Sequence, residues 1–202
     1  MGTVAIVDYG VGNLKSVANA LSYLGCSSCI TADPAELERA DAIILPGVGA
    51  FPDAADRLRS GGLDQHVLAQ GQKKPVLGIC LGMQLLLEQG REVGPCPGLG
   101  VIRGTVDRIP TQSKLPHIGW NSLRFFHHSP LFRGLDEGAY VYFVHSFSAQ
   151  DTDPAQVIAV TDYGPAVTAA VSSGNFYGTQ FHPEKSGEVG LTILRNFAGL
   201  NC

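Results

Sequence analysis

Cys80 is placed where a nucleophile could act. It closes the apolar run "PVLGI" (75–79), and Leu81 opens a second apolar run. If a strand gives way to a helix here, the turn exposes Cys80 above the sheet, and Gly78 and Gly82 let the backbone approach closely. Free N–H groups at the helix start stabilise a thiolate, and the Leu81 N–H would point at an oxyanion formed by attack at Cys80. On this local pattern alone, a buried cysteine acting as a small apolar side chain is an equal alternative.

His182 and Glu184 could supply the base that a thiol nucleophile needs. Both lie in "YGTQFHPEKSGE" (177–188), just after a strand-like run. Because they are two residues apart, their side chains would point the same way if the segment is extended. The carboxylate can then hydrogen-bond the imidazole and favour its charged form. Alone, this segment is better explained as a loop before the last helix, but together with Cys80 it favours a Cys–His–Glu triad.

The segment "LPGVGAF" (45–51) could supply a second oxyanion donor. It follows a buried strand, and Gly47 and Gly49 flank Val48, so this backbone can turn an amide towards a ligand. A plain strand-to-helix turn is the alternative. The segment "DYGVGNLK" (8–15) resembles a phosphate loop, but Lys15 stands where the third glycine of a dinucleotide site would be, which argues against that function.

The elements that must position these residues alternate in the first 90 residues. Short apolar runs at 4–8, 42–46 and 75–79 are typical of strands buried on both faces, and the segments 12–25 and 50–62 have helical spacing. The second half is rich in strand-like stretches with turn signals, and a helix is predicted at its end. The sequence predicts one α/β domain over residues 1–202. We expect an open, mostly parallel twisted sheet with helices on both faces and a C-terminal half rich in β-hairpins.

Composition excludes several classes of protein. The formal net charge is −4 and Lys and Arg form no block, which argues against nucleic acid and anionic membrane as partners. No apolar run approaches the roughly 18–20 residues that span a bilayer. Five cysteines without a secretory signal indicate a cytoplasmic chain with reduced thiols. Cys26-x-x-Cys29 has no second pair to complete a zinc site, and His127-His128 lacks a third ligand nearby, so neither a metal nor a cofactor is expected.

The motifs resemble those of a known family. "GICLGMQ" around Cys80 and "FHPE" around His182 are similar to the class I (triad) glutamine amidotransferases. "PGVGAF", "PHIGWN" (116–121), "YFVHSF" (142–147) and "HPEKS" (182–186) resemble the branch that supplies ammonia to a cyclase in histidine biosynthesis. The resemblance covers essentially the whole chain. Amidotransferases that serve another synthase, of the pyridoxal phosphate, anthranilate or guanylate type, are the alternative.

The resemblance implies a role for each matching residue. Cys80 attacks the side-chain amide of glutamine, His182 shuttles the proton and Glu184 orients it. Oxyanion and substrate contacts fall on Gly47, Val48, Gly49, Leu81, Gln84, Glu92, His145, Ser146 and Phe147. The implied partner is a (β/α)8-barrel cyclase subunit in a heterodimer, contacted by Asn13, Trp120, Tyr142 and Lys185.

Two other classes of protein compete with this interpretation. A Cys-dependent hydrolase of related architecture usually has its histidine beside the cysteine, whereas residue 81 here is Leu. A non-catalytic binding module would have no reason to retain Cys80, His182 and Glu184 together.

Overall fold

The computed structural model describes residues 2–200. Outside it lie Met1, Asn201 and Cys202, which is one of the five cysteines expected to be reduced. The first part alternates between the two kinds of element: β1 (Val4–Val7), α1 (Leu14–Tyr23), β2 (Ser28–Thr31), α2 (Pro34–Arg39), β3 (Ala42–Gly47), α3 (Phe51–Ser60), α4 (Leu63–Gly71), β4 (Val76–Cys80) and α5 (Leu81–Leu85). Strands dominate the next part: β5 (Leu87–Gly90), β6 (Cys96–Pro97), β7 (Ile102–Arg108), β8 (His117–Ser122), β9 (Arg124–Phe125), β10 (Tyr140–His145), β11 (Phe147–Gln150), β12 (Val157–Asp162), β13 (Ala166–Ser173) and β14 (Phe176–Thr179). Three short 3₁₀ helices (Pro130–Phe132, Pro154–Gln156 and Pro183–Lys185) and α6 (Gly187–Ala198) complete it.

The largest sheet has eight strands in the order β2-β1-β3-β4-β14-β13-β12-β9. The five strands from β2 to β14 are parallel, and β13, β12 and β9 each run antiparallel to their neighbour. A four-stranded sheet (β11-β7-β5-β6) and a two-stranded ribbon (β8 and β10) form beside it. The prediction of a mostly parallel sheet with a hairpin-rich second half is confirmed.

Both faces of the large sheet are covered because its central strands are apolar on both sides. All four residues of β1 are buried. Val4 and Ile6 pack in one core with residues of α1 and α6, whereas Ala5 and Val7 pack in the other with residues of α2, α3 and α4. This alternation is the period of two expected of a strand with helices on each side. Among residues 2–200, none of the helices is long and apolar enough to cross a membrane.

The structure divides two segments that the sequence presented as continuous. The apolar run after Cys80 stays helical only to Leu85 and continues as β5. The helix ends there because the carbonyls of residues 85–87 accept hydrogen bonds from the amides of residues 99–102. The stretch "YVYFVHSFSA" likewise breaks at Ser146, where the chain passes from β10 in the ribbon to β11 in the four-stranded sheet. Cys96 lies in the two-residue strand β6.

Three neighbouring parallel strands bring the predicted motifs to one edge. Gly47 at the end of β3 lies opposite Cys80 at the end of β4, and Ile79 in β4 lies opposite Thr179 in β14. The segments that follow these strands are the 47–49 loop, the Cys80 turn and the His182 segment. The carboxyl edge of the sheet is where ligands bind in open α/β folds.

The turn at Cys80 depends on a close approach of two backbones. A Cβ atom at Gly82 would overlap the carbonyl oxygen of Leu45 in β3, and one at Gly78 would lie 2.6 Å from the carbonyl of Gly82. Only glycine therefore lets α5 start directly above the ends of β3 and β4.

We expect Gly82→Ala to lower the free energy of unfolding by about 3 kcal/mol, because the added methyl group meets backbone that has no room to move. Urea denaturation followed by circular dichroism would measure the loss. Gly94→Ala is the matched control, since a Cβ atom there would meet nothing within 4 Å. Equal stability of the two variants would contradict the close approach at Gly82.

Candidate active site

Cys80 occupies a strained backbone position at the start of α5. Its φ is 54° and its ψ is −109°, and among residues 2–200 only Asp151 shares a positive φ without being glycine. Conformations of this kind cost about 1–3 kcal/mol and persist only where the surroundings enforce them. The residue is 7% exposed. Its sulfur is held at the edge of a cavity by the backbone of the turn.

The cavity has a volume of about 280 Å³ and gathers most of the predicted site. The lining residues are Val48, Gly49, Cys80, Leu81, Gln84, Glu92, Val144, His145, Ser146, Phe147, His182 and Lys185. Gly47 and Glu184 are outside the lining, because Gly47 is buried under α5 and Glu184 stands behind His182.

His182 and Glu184 form a buried pair. Nδ1 of His182 donates a hydrogen bond of 2.8 Å to Oε1 of Glu184, and the two side chains are only 3% and 1% exposed. Ser186 clamps this segment against β10, since its Oγ donates to the His182 carbonyl and accepts from the Tyr142 N–H. The His182 N–H also donates to the Tyr142 carbonyl at 3.0 Å. The imidazole is thereby fixed in position and tautomer.

The charge of His182 is governed by its two neighbours. Burial alone would lower the pKa of His182, but the Cys80 sulfur and the Glu184 carboxylate together raise it to about 9. Within residues 2–200, no hydrogen-bond partner reaches His182 Nε2 or Glu184 Oε2. Among these residues no other group competes for Nε2, so it can exchange a proton with the Cys80 sulfur, whose charge helps to hold the pKa of His182 up.

Tyr9 and Glu92 anchor the two ends of the 47–49 loop. The Tyr9 hydroxyl donates to the Pro46 carbonyl at 2.7 Å. Burial, and to a smaller extent the charge of Cys80, raises the pKa of this phenol. The Phe51 N–H donates to Oε2 of Glu92 at 2.7 Å. Glu92, expected among the substrate contacts, thus also caps α3. Between these anchors Gly49 has a φ of 101°, and Val48 is exposed.

The histidine of the "HSF" strand is neutral. Burial lowers the pKa of His145 to about 4, and its Nδ1 donates to the Phe147 carbonyl at 2.8 Å. Its Nε2 lies 3.1 Å from Nδ1 of His117, a buried histidine in "PHIGWN". His145 therefore holds the wall of the cavity through hydrogen bonds and carries no charge to a ligand.

The four residues predicted at a partner interface are only partly grouped. Trp120 in β8 pairs with Tyr142 in β10, and their rings meet edge to face at 6.2 Å between centroids. Trp120 is 55% exposed although it is large and apolar. Lys185 lines the cavity, whereas Asn13 precedes α1 in the segment after β1. All four follow or flank the carboxyl edge of the sheet.

Tyr9, His117 and Gln180 contribute to this region without having been predicted. Tyr9 follows β1 at the carboxyl edge of the sheet, a placement that could have marked it. His117 and Gln180 are buried polar residues whose partners lie 28 and 100 residues away, and no local pattern identifies them. Among residues 2–200, no cluster of three or more His, Cys, Asp and Glu side chains could hold a metal ion.

Comparison with known proteins bears on this geometry. A sequence model of the class-I glutamine amidotransferase family matches residues 5–199. The chain is 48% identical over 200 residues to the imidazole glycerol phosphate synthase subunit HisH of Bacillus cereus, covering 98% of this chain and 94% of that protein.

Solved structures share the fold at lower identity. A glutamine amidotransferase crystal structure has a TM-score of 0.76 at 21% identity, covering 97% of this chain and 99% of that one. PurLQS from Thermotoga maritima has a TM-score of 0.73 at 22% identity, with 98% of each chain covered. The chain belongs to the class-I glutamine amidotransferase family and, within it, to the family of imidazole glycerol phosphate synthase HisH subunits.

Proposed function

We propose that this chain hydrolyses glutamine to glutamate and ammonia and delivers the ammonia to a synthase partner. The observation that carries the proposal is the buried His182–Glu184 hydrogen bond beside Cys80, at the shared edge of β4 and β14. The names of the HisH relatives support it over a subunit of the pyridoxal phosphate or anthranilate type.

The reaction follows from the positions of three side chains. His182 takes the thiol proton of Cys80, and the sulfur attacks the amide carbon of glutamine. The oxyanion is stabilised by the Leu81 N–H at the start of α5 and by an amide of the 47–49 loop. His182 gives its proton to the departing nitrogen, ammonia leaves, and a γ-glutamyl thioester remains on Cys80. Water activated by His182 then releases glutamate, while Glu184 keeps the imidazole oriented throughout.

The rest of the cavity would hold the amino-acid end of glutamine. Gln84, Glu92 and the backbone of Ser146 and Phe147 face that space. The Glu92 carboxylate suits the α-amino group. Lys185, a cation of the lining, suits the α-carboxylate, whereas His145 is neutral.

The proposed partner is a (β/α)8-barrel cyclase that makes imidazole glycerol phosphate and the aminoimidazole carboxamide ribotide AICAR. The HisH relatives are named as subunits of imidazole glycerol phosphate synthase, which implies a second chain. The exposed Trp120–Tyr142 pair supports docking beside the cavity, because large aromatic side chains are favoured interface anchors. Ammonia would pass directly across that interface, where water cannot protonate it.

We further propose that residues 1–202 act as one glutaminase domain in the cytoplasm. The family match over residues 5–199 supports a single functional unit. A nucleophilic thiol at Cys80 requires the reducing conditions found there.

Cys80→Ser should reduce kcat for glutamine hydrolysis by about 10⁴-fold or more, because the attacking atom is lost. The change in melting temperature should be small, since the backbone of the turn is preserved. Glutamate release and thermal denaturation would be measured on the same preparations. Cys96→Ser is the control, as its thiol lies in β6 outside the cavity lining. Hydrolysis at the wild-type rate by Cys80→Ser would rule out the triad.

Alkaline pH should inactivate the enzyme. The pKa of His182 is raised from 6.5 to about 9, so the stabilisation given by its protonated form is complete below pH 6.5 and is lost as pH rises through 9. We expect kcat/KM to fall over the same range, because above that pH His182 holds no proton to give to the departing nitrogen. Glu184→Gln should move that fall to lower pH and reduce kcat by about 10²–10⁴-fold, because the carboxylate no longer supports the charged imidazole. Glu188→Gln, an exposed carboxylate at the start of α6, should leave the pH profile in place. An unmoved alkaline limb in Glu184→Gln would be inconsistent with this pairing.

Glutaminase activity should be weak in the isolated chain and rise when the barrel cyclase and its nucleotide ligand are added. The 47–49 loop is exposed at Val48, and a Cβ atom at Gly49 would meet nothing within 4 Å, so we expect the partner to order this loop with its amide turned inward.

Trp120→Ala should raise the dissociation constant of the complex with the cyclase by about 30-fold, as expected when an aromatic side chain buried in an interface is removed. Phe126→Ala, an exposed aromatic on the segment after β9, is the control. Calorimetry would measure the dissociation constants of both variants with the cyclase. Equal values for Trp120→Ala and Phe126→Ala would place the interface elsewhere.

A further inference from the structure

Gln180 is a buried polar residue that the reaction described above does not use. It follows β14 and precedes His182 by two positions, and its side chain is fully buried. Its Nε2 lies 3.6 Å from the Cys80 sulfur, and its Oε1 lies 3.0 Å from Nε2 of Gln84. The residue therefore joins the nucleophile to a residue that lines the cavity.

The direction of these hydrogen bonds is fixed by the Phe147 carbonyl. Nε2 of Gln84 lies 3.0 Å from that oxygen, and a backbone carbonyl can only accept. Gln84 must therefore present its NH₂ group there, and the same NH₂ group donates to Gln180 Oε1. With Oε1 used as an acceptor, the NH₂ group of Gln180 must face the Cys80 sulfur. His145, which also donates to the Phe147 carbonyl, strengthens this assignment.

An N–H group directed at sulfur stabilises a thiolate more than a thiol, because hydrogen bonds to a charged acceptor are the stronger ones. It also restricts the rotation of the side chain about its χ1 angle. His182 acts on the same sulfur from the segment after β14, whereas Tyr9, after β1, stays a neutral phenol whose hydroxyl donates to the Pro46 carbonyl. The other ionisable groups around the cavity are Glu92, His145 and Lys185, with Glu184 behind His182. Unlike these ionisable groups, Gln180 is an uncharged side chain, and it donates a hydrogen bond to the Cys80 sulfur.

We propose that Gln180 positions the nucleophile: it donates a hydrogen bond to the Cys80 thiolate, and Gln84 holds its amide in the donating orientation. The proposal rests on the glutaminase function for its effect on turnover. The effect on the thiol itself is independent of that function. Since Gln84 also lines the cavity, the hydrogen-bond chain connects substrate-binding residues to the sulfur.

Gln180→Met tests the donor, because methionine has similar length and no N–H. Alkylation of Cys80 by iodoacetamide would be followed from pH 5 to 9, with the Cys80 peptide quantified by mass spectrometry so that other thiols do not interfere. We expect the rate at pH 6.5 to fall about 10- to 100-fold, with the midpoint of the pH curve moved upward by about 1–2 pH units. The kcat for glutamine should fall by a similar factor, while KM changes less than about threefold, because the donor acts on the sulfur and not on the substrate.

Gln180→Glu is the second variant. Its carboxylate still accepts from Gln84 but offers no N–H to sulfur, so the same loss is expected. Gln70→Met, a buried glutamine in α4 remote from the cavity lining, controls for the loss of any buried amide and should match the wild type. A superimposable alkylation curve in either folded Gln180 variant would overturn the proposal.

A measurement on the unaltered side chain covers the case in which both variants fail to fold. The side-chain NH₂ resonances of Gln180 should shift with the ionisation of Cys80 in the wild type and stay constant in Cys80→Ala. Constant resonances in both proteins would overturn the donor assignment. Normal alkylation changes with no glutamine hydrolysis in the wild type would instead reject the glutaminase function and leave the Gln180 hydrogen bond intact.

Discussion

The parallel pairing of β3, β4 and β14 is the constraint on which the site depends. It sets Gly47 opposite Cys80 and Ile79 opposite Thr179, so the 47–49 loop, Cys80 and the His182 segment leave the sheet side by side. A slip of one residue in either pairing would turn every side chain of a strand to the other face. Because all five residues of β4 are buried, the two cores resist such a slip. The precision of the site therefore comes from apolar side chains that never touch a ligand.

A second constraint is the burial of the His182–Glu184 pair. A carboxylate and an imidazole removed from water are stable only while each satisfies the other, and one oxygen of Glu184 has no hydrogen-bond partner among residues 2–200. The Ser186 bridge to β10 supplies rigidity but no charge. The ribbon formed by β8 and β10 thus supports the His182 segment through the backbone of Tyr142 and carries the exposed Trp120 on the paired strand.

The sequence revealed those parts of the protein that have a local signature. Continuous apolar runs marked β1, β3 and β4. The spacing of His182 and Glu184 marked the pair, although Glu184 lies in the 3₁₀ helix Pro183–Lys185 and not in the extended segment that was expected. The limits appear where a distant segment decides the outcome. The helix after Cys80 stops at Leu85 because the amides of residues 99–102 bind the carbonyls that follow. The role of Gln180 depends on Gln84, 96 residues away, and no residue near Gln180 in sequence indicates it.

The pairing of β4 with β14 has a consequence for the chain as it is made. Cys80 and Gln180 are 100 residues apart, and a ribosome adding about 5–20 residues per second takes roughly 5–20 s to cover that distance. Throughout that interval the apolar strand β4 has one edge of unpaired backbone N–H and C=O groups, which is the kind of edge that recruits other strands. We expect the nascent protein to be most prone to aggregation then, and most in need of a chaperone. A product truncated before β14 would contain Cys80 but lack His182, and its sheet would have an open edge.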